Sequence, residues 1–287
     1  TTLQDFGIER MTDLRPLPRW LPTPKHRRYH AALESIHRLL EEAIEESDPQ
    51  DERFVTGLLA AERRGELSRE EVRYGLANLL FGGKETAGAS LLFTLMLLAQ
   101  HPEEQKQAAA EVDAVLDGRP VQLADLPKLS LLERIYKESL RLYPPVAILS
   151  RQAARTVELA GYTIPRGAHL MLHCQSMQRD PRWFDDPDAF RPERFLPERE
   201  KQRHPHSFLP FGAGVHVCIG RRLAMREAAA VLGTLLAQAR VVLPPGFQPP
   251  QLKADMRLHP AGPLVLKLVE RETAEPASMS LSDTAGQ

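Results

Sequence analysis

The sequence predicts a mainly α-helical fold with a small amount of β-sheet. Three observations carry that prediction: the stretch from Ser68 to Gln100 that no proline interrupts, the recurrence of Tyr29, Leu33, Ile36, Leu40 and Ile44 at helical spacing, and short alternating runs between Val157 and His173 that turn at Gly161 and Gly167. With 287 residues, 43% hydrophobic and 26% charged, the chain suffices for one large domain or two small ones and for a substantial core.

The first helix follows the proline-punctuated entry Trp20–Lys25 and has a charged outer face, and the acidic run from Glu41 to Asp51 ends it as solvated surface. Phe54–Glu62 gives a shorter helix closed by Gly65. Ser68 and Glu71 then have the spacing of a capping box, opening a helix that stops at Gln100, just short of Pro102. At about 1.5 Å per residue this rod spans about 45 Å. Its second half, Ser90–Ala99, is apolar nearly all round and belongs in the interior. Pro102 suits the first position of the next helix, which ends near Gly118. Val121–Ser130 is a connecting loop, and Leu131–Leu142 is a helix stopped by Pro144 and Pro145. Cys174 falls in an apolar strand context and is most simply inert. Residues 179–195 form an irregular, proline-rich loop that continues through Glu198–Ser207. His204 and His206 lie there with no cysteine or third ligand nearby, so they are expected in solvent rather than on a metal. An alanine-rich helix opens at Arg221, Val241–Leu268 is short-strand and turn material, and the polar end, 270–287, is expected to be disordered.

Composition excludes several classes. A formal net charge of −1 offers no bulk attraction to nucleic acid or to an anionic membrane. Two cysteines are too few for a disulfide framework, which suits a reducing, cytoplasmic setting. Neither a signal peptide nor a membrane-spanning apolar run is visible, although the chain opens Thr1-Thr2 without methionine, as a truncated start would.

Three stretches break the pattern. Phe208–Ala224, FLPFGAGVHVCIGRRLA, places Cys218 among Gly212, Gly214 and Gly220 and just ahead of a helix, where unpaired N–H groups and the helix dipole favour an anion. Taken alone, this reads first as a buried structural cysteine beside a turn. A dinucleotide loop fails on spacing, because Val217 stands where the third glycine belongs. Gly82–Gly88, GGKETAG, sets glycines and charges inside a strong helical pattern. It reads either as a kink that frees a carbonyl and makes room for a small molecule, or as tight packing against Gly82 and Gly83 with Lys84 and Glu85 in solvent. Glu138 and Arg141 share one helical face and by themselves would be an ordinary surface ion pair.

Taken together, Gly82–Gly88, Glu138-x-x-Arg141 followed by Arg-Leu-Tyr-Pro-Pro, Arg191-Pro-Glu-Arg194-Phe195, Phe211-x-x-Gly214-x-x-x-Cys218-x-Gly220 and the late Arg257-Leu-His-Pro-Ala-Gly-Pro resemble the cytochrome P-450 family in type and order. The resemblance implies that family's fold, mainly α with a small mixed β-sheet and incomplete at the N-terminus, with residues 1–269 as the C-terminal portion of one haem-binding domain. It implies haem b held between the long helix and the cysteine loop. Cys218 would be the axial iron ligand, Phe211, Gly214 and Gly220 would shape the loop, and Arg151 and His216 would face the propionates. Thr86 and Glu85 would guide protons toward dioxygen, with Ala87 where relatives often carry a second hydroxyl. Glu138, Arg141 and Arg194 would form a buried structural network. Val146, Ala147 and Ile148, with Gly82 and Gly83, would line the pocket of a small, apolar organic substrate. The implied reaction is monooxygenation. Its electrons would come from a ferredoxin or flavodoxin with an NAD(P)H-dependent reductase, since no flavin or iron–sulfur motif is present, and Arg221, Arg222 and Arg226 would form the docking patch. The alternative is a truncated, non-catalytic haem-binding or interaction domain.

Overall fold

The computed structural model describes residues 23–48, 54–254 and 257–271. In chain order the helices are α1 (Pro24–Glu45), α2 (Phe54–Arg63), α3 (Arg69–Gln100), α4 (Pro102–Leu116), α5 (Ser130–Leu142), α6 (Cys174–Met177), α7 (Pro197–Gln202) and α8 (Arg221–Gln238). The strands are β1 (Ile148–Gln152), β2 (Val157–Leu159), β3 (Tyr162–Ile164), β4 (His169–His173), β5 (Ala239–Val242), β6 (Leu252–Ala254), β7 (Leu258–Pro260) and β8 (Lys267–Glu270). The chain forms two compact units, one of residues up to 89 with 145–147 and 252–259, the other of the remainder.

In the first unit α1 begins at Pro24, ahead of its apolar repeat, because the Thr23 side chain accepts the His26 N–H at 3.1 Å and proline is at home in a first turn. The capping box at the start of α3 is formed reciprocally: Ser68 N donates to Glu71 Oε2 at 2.7 Å and Glu71 N to Ser68 Oγ at 3.2 Å. Leu40 and Ile44 pack against Leu59, Val72 and Leu76, and Arg69 ties Glu41 to Glu62 over this small core.

In the second unit the later part of α3 is interior, as its composition requires: Phe93 and Met96 are buried, and Leu97 and Leu98 pack in one core with Val112, Leu132 and Leu232. Gly233 of α8 permits the close approach of residues 121–132, since a Cβ there would stand 3.3 Å from Leu129 Cδ1 and 3.4 Å from Val121 Cγ2. Polar side chains join the helices. Glu111 of α4 accepts N–H groups from Leu131 (2.8 and 3.0 Å) and Leu132 (3.2 Å), and so caps α5, which has no local side-chain cap. Glu111→Ala is expected to cost about 1 kcal/mol, the worth of a helix N-cap, measured by denaturant unfolding. Buried Gln105 serves both partners of one residue, donating to Val241 O at 2.9 Å and accepting from Val241 N at 2.7 Å.

The loop after α4 is closed by Asp125, only 2% exposed, which accepts from both Arg119 amino groups at 2.6 and 2.8 Å and from Gln122 N at 3.0 Å. The Arg119 hydrogen bonds hold this carboxyl far below its ordinary range. Its folded pKa lies below its unfolded one, so the stabilisation is complete above the usual carboxylate range and is lost as pH falls through the depressed value. Asp125→Asn is therefore expected to flatten the acid limb of the curve of thermal stability against pH, and an unchanged acid limb would contradict this.

Among the described residues the strands make four two-stranded sheets, β1–β4, β2–β3, β5–β8 and β6–β7, rather than one mixed sheet. The first three pairs are antiparallel, with Ile148 opposite His173, Val157 opposite Ile164 and Ala239 opposite Glu270. The runs are three to five residues long; β2 and β3 are joined by the tight turn at Ala160 (φ 50°) and Gly161 (φ 83°), whereas β1–β4 and β5–β8 pair across longer stretches of chain. Two local expectations are corrected. Cys174 opens helix α6 rather than lying in a strand, since His173 Nδ1 accepts Ser176 N at 3.2 Å; its thiol is buried, and burial pushes its pKa up. Pro197–Gln202 is a short helix rather than loop, started by proline at its first position. Glu270 ends β8, Arg271 pairs with Asp113, and the rest of the expected disordered tail lies outside the described residues. No helix of the described residues is long and apolar enough to cross a membrane.

Candidate functional site

The cysteine loop of the second unit is built by backbone hydrogen bonds. Gly212 and Gly214 adopt φ of 71° and 69°, a region costly for other residues, and let the chain reverse. Gly212 N donates to Leu209 O at 3.2 Å, Val217 N to Gly214 O at 3.1 Å, and Cys218 N to Phe211 O at 2.8 Å. The last of these sets the direction of the cysteine before α8 begins at Arg221. Gly220 caps that helix without a side-chain acceptor. A Cβ at Gly220 would sit 3.8 Å from Cys218 Sγ, in ordinary contact with the sulfur. Phe211 packs toward Tyr136, Leu140 and Ala228, which anchors the loop to α5 and α8.

The Cys218 thiol is free and exposed. On either side of it Val215 and Ile219 are 95% and 94% exposed, an apolar surface that a flat apolar group would cover. Arg151 is half-buried; its guanidinium donates to Ser150 O at 2.8 Å and, among the described residues, makes no ion pair. His216 is exposed on the loop. A free sulfur, apolar flanks, glycines that admit close approach and an arginine without an acid partner fit a haem with its two carboxylates. A cleft of about 520 Å³ beside the loop is lined by Phe208, Phe211, Val217, Arg221 and Met225 among others. Arg221, Arg222 and Arg226 are exposed along the start of α8.

Glu138, Arg141 and Arg194 are brought together in the interior, at 0%, 0% and 4% exposure. Arg141 forms a two-pronged pair with Glu138 (2.7 and 2.8 Å) and directs its other N–H groups at the carbonyls of Gln178, Pro187 and Ala189. Arg194 Nε lies 3.3 Å from Glu138 Oε1, while its amino groups bond Asp185 and the Asp186 carbonyl, each at 2.8 Å. Arg194 beside it lowers the pKa of Asp185. The network exceeds the three expected residues. Arg191 N donates to Glu138 at 2.9 Å, and Arg203 lies over the rings of Phe184 and Phe195. Buried Gln178 was marked by no sequence signal; its amide donates to Leu140 O and Arg141 O, both at 3.1 Å, and its Oε1 accepts Leu209 N at 2.9 Å.

In the first unit both readings of Gly82–Gly88 are corrected in part: Lys84 is exposed and there is open space at Gly82 and Gly83, but the carbonyl is not free and Glu85 is not in solvent. The helix runs unbroken, and Thr86 Oγ1 donates to Gly82 O at 2.6 Å, so the carbonyl is taken by the threonine rather than freed by a kink. Gly82 and Gly83 are exposed and a Cβ on either would meet nothing within 4 Å, so tight packing is not their reason. Glu85 pairs with Arg257 at 2.6 Å instead of standing in solvent. Ala147 is buried and Val146 half-buried in a segment tied to β7 by Leu258 N donating to Pro145 O at 2.7 Å; Ile148 starts β1 of the second unit, half-buried.

Comparison with known proteins gives one consistent answer. A family model described as cytochrome P-450 matches residues 2–268. The pentalenene oxygenase of Streptomyces avermitilis is 37% identical over 83% of this chain and 54% of its own length. The cyclooctat-9-en-7-ol 5-monooxygenase of Streptomyces melanosporofaciens is 38% identical over 79% and 50%. A crystal structure of a cytochrome P-450 (CYP102L1) superposes with a TM-score of 0.80 at 26% identity, over 91% of this chain and 61% of that one. The chain thus spans about half the length of the curated relatives it matches.

Proposed function

The chain belongs to the cytochrome P-450 family, and from that premise we propose that the protein is a haem-thiolate monooxygenase that inserts one oxygen atom of dioxygen into a small, apolar organic substrate. The observation that carries the proposal is Cys218: an exposed, unpaired thiol whose backbone is pinned to Phe211 O in a glycine turn between two uncovered apolar side chains. Haem b, once bound, supplies the iron at which dioxygen is activated with two electrons and two protons, one oxygen atom going to the substrate and the other leaving as water.

Cys218 Sγ ligates the iron in this reading, and Phe211, Gly214 and Gly220 keep the loop open for the ring. Arg151 and His216 bind the propionates, a task that suits an arginine with no acid partner of its own. Thr86 donates its proton to Gly82 O, which leaves its oxygen lone pairs free to accept from a water or substrate. Glu85, held by Arg257, is the relay carboxylate. Val146, Ala147 and Ile148 face the substrate, and Gly82 and Gly83 leave room for it; relatives named as oxygenases of pentalenene and cyclooctat-9-en-7-ol accord with an apolar substrate. Arg221, Arg222 and Arg226 receive an acidic electron donor, a ferredoxin or flavodoxin reduced by an NAD(P)H-dependent reductase, in the cytoplasm. The test is the absorption spectrum of the reduced, carbon monoxide-bound full-length protein. A strongly red-shifted Soret band is expected, and its absence would sink the thiolate assignment.

A further inference from the structure

Gln178, which the proposed chemistry does not use, is fully buried, and every polar atom of its side chain is engaged at one junction. Its amide nitrogen donates to Leu140 O and Arg141 O, carbonyls in the last turn of α5 that have no helical partner ahead of them. Its amide oxygen accepts Leu209 N at 2.9 Å. Its backbone oxygen accepts Arg141 Nη1 at 3.0 Å, which links it to the Glu138 network. From Leu209 the path continues through the loop: Leu209 O takes Gly212 N at 3.2 Å, and Phe211 O takes Cys218 N at 2.8 Å. A rigid core thus reaches the cysteine in three hydrogen-bonded steps, and Gln178 is the step at which interior becomes loop.

We propose that Gln178 is a positioning residue for the Cys218 sulfur, fixing the loop's entry at Leu209 so that the sulfur is held at one height and angle. This rests on the reading of Cys218 as an iron ligand. Groups that orient a metal ligand from behind typically contribute ten- to a hundredfold to metal affinity or activity, and a buried amide that loses its partner opens more readily, because the loss costs about as much as a hydrogen bond.

The test uses the full-length protein and its Gln178→Met variant, which keeps length and flexibility but removes both arms of the amide. Three quantities are measured: the reduced carbon monoxide spectrum, haem affinity, and amide hydrogen exchange at Leu209, Cys218, α5 and α8. The expected result is loss of most of the red-shifted band to an unshifted one, about tenfold or more weaker haem binding, and about tenfold faster exchange confined to Leu209 and Cys218. An unchanged band and affinity in the variant overturns the positioning role. Faster exchange spread evenly through α5 and α8 also overturns it, by assigning Gln178 to general core stability. A wild-type protein without the band instead sinks the thiolate reading itself. Should the variant fail to fold, exchange in the wild type decides: Leu209 and Cys218 amides must be protected as strongly as α5, and rapid exchange at either overturns the proposal.

Discussion

In the full-length protein, Cys218→Ser is expected to abolish the red-shifted Soret band of the reduced carbon monoxide complex and to take monooxygenase turnover to background, while thermal stability of the apoprotein changes by less than about 0.5 kcal/mol. The two halves of this expectation have separate causes. The hydrogen bond that shapes the loop here runs from the residue 218 backbone N–H to Phe211 O and is indifferent to the side chain. Serine is nearly isosteric, and the position is exposed, so no cavity or stranded polar group results. The serine hydroxyl, however, does not ionise near neutral pH and lacks the polarisable sulfur that pushes electron density toward the iron. A band that survives the substitution would refute the assignment of Cys218, and a large loss of apoprotein stability would show that the thiol carries packing rather than chemistry.

The largest loss of stability is expected from Glu138→Ala, about 3–5 kcal/mol by denaturant unfolding. Glu138 is the anion shared by two buried guanidiniums: Arg141 holds it through two bonds and Arg194 stands 3.3 Å away. Removing it leaves Arg141 with its carbonyl acceptors but no counter-charge, and strips Arg191 N of its acceptor. Deleting one partner of a buried pair costs more than the pair contributes, because the survivor remains desolvated. Arg194 keeps a counter-charge in Asp185, 2.8 Å away, which is exposed. A measured loss below about 1 kcal/mol would mean that water reaches the site and screens the charges.

Features that depend on near neighbours are legible in the amino-acid order alone. The capping box at Ser68 and Glu71, the apolar half of α3 and the glycine turn around Cys218 are local patterns with local causes. The Glu138–Arg141 pair was legible as a pair from its spacing, but its burial followed only from the family resemblance, since an i,i+3 acid and base look alike on a surface and in a core. Glu111, Gln105 and Gln178 escaped notice for a common reason. Each is a polar residue whose partners are backbone groups distant in sequence, as Gln105 and Val241 are, and no periodicity advertises such a bond. The free carbonyl expected at Gly82–Gly88 failed differently: the helix is continuous there, and the Thr86 hydroxyl satisfies the Gly82 carbonyl within it.

The bond from Cys218 N to Phe211 O closes a ring of backbone whose perimeter carries Val215, His216 and Val217, all exposed. Within this ring the place of the sulfur is set by main-chain bonds, and beyond it by Gln178 and Phe211 at the loop's entry, while the polarity around the sulfur is written by exposed side chains. Placement and reactivity become separately adjustable. A library varied at residues 215 and 217 is expected to shift the reduction potential of the proposed haem iron over a graded series with the cysteine held still, whereas changes at Gly212 or Gly214 would displace Cys218 itself.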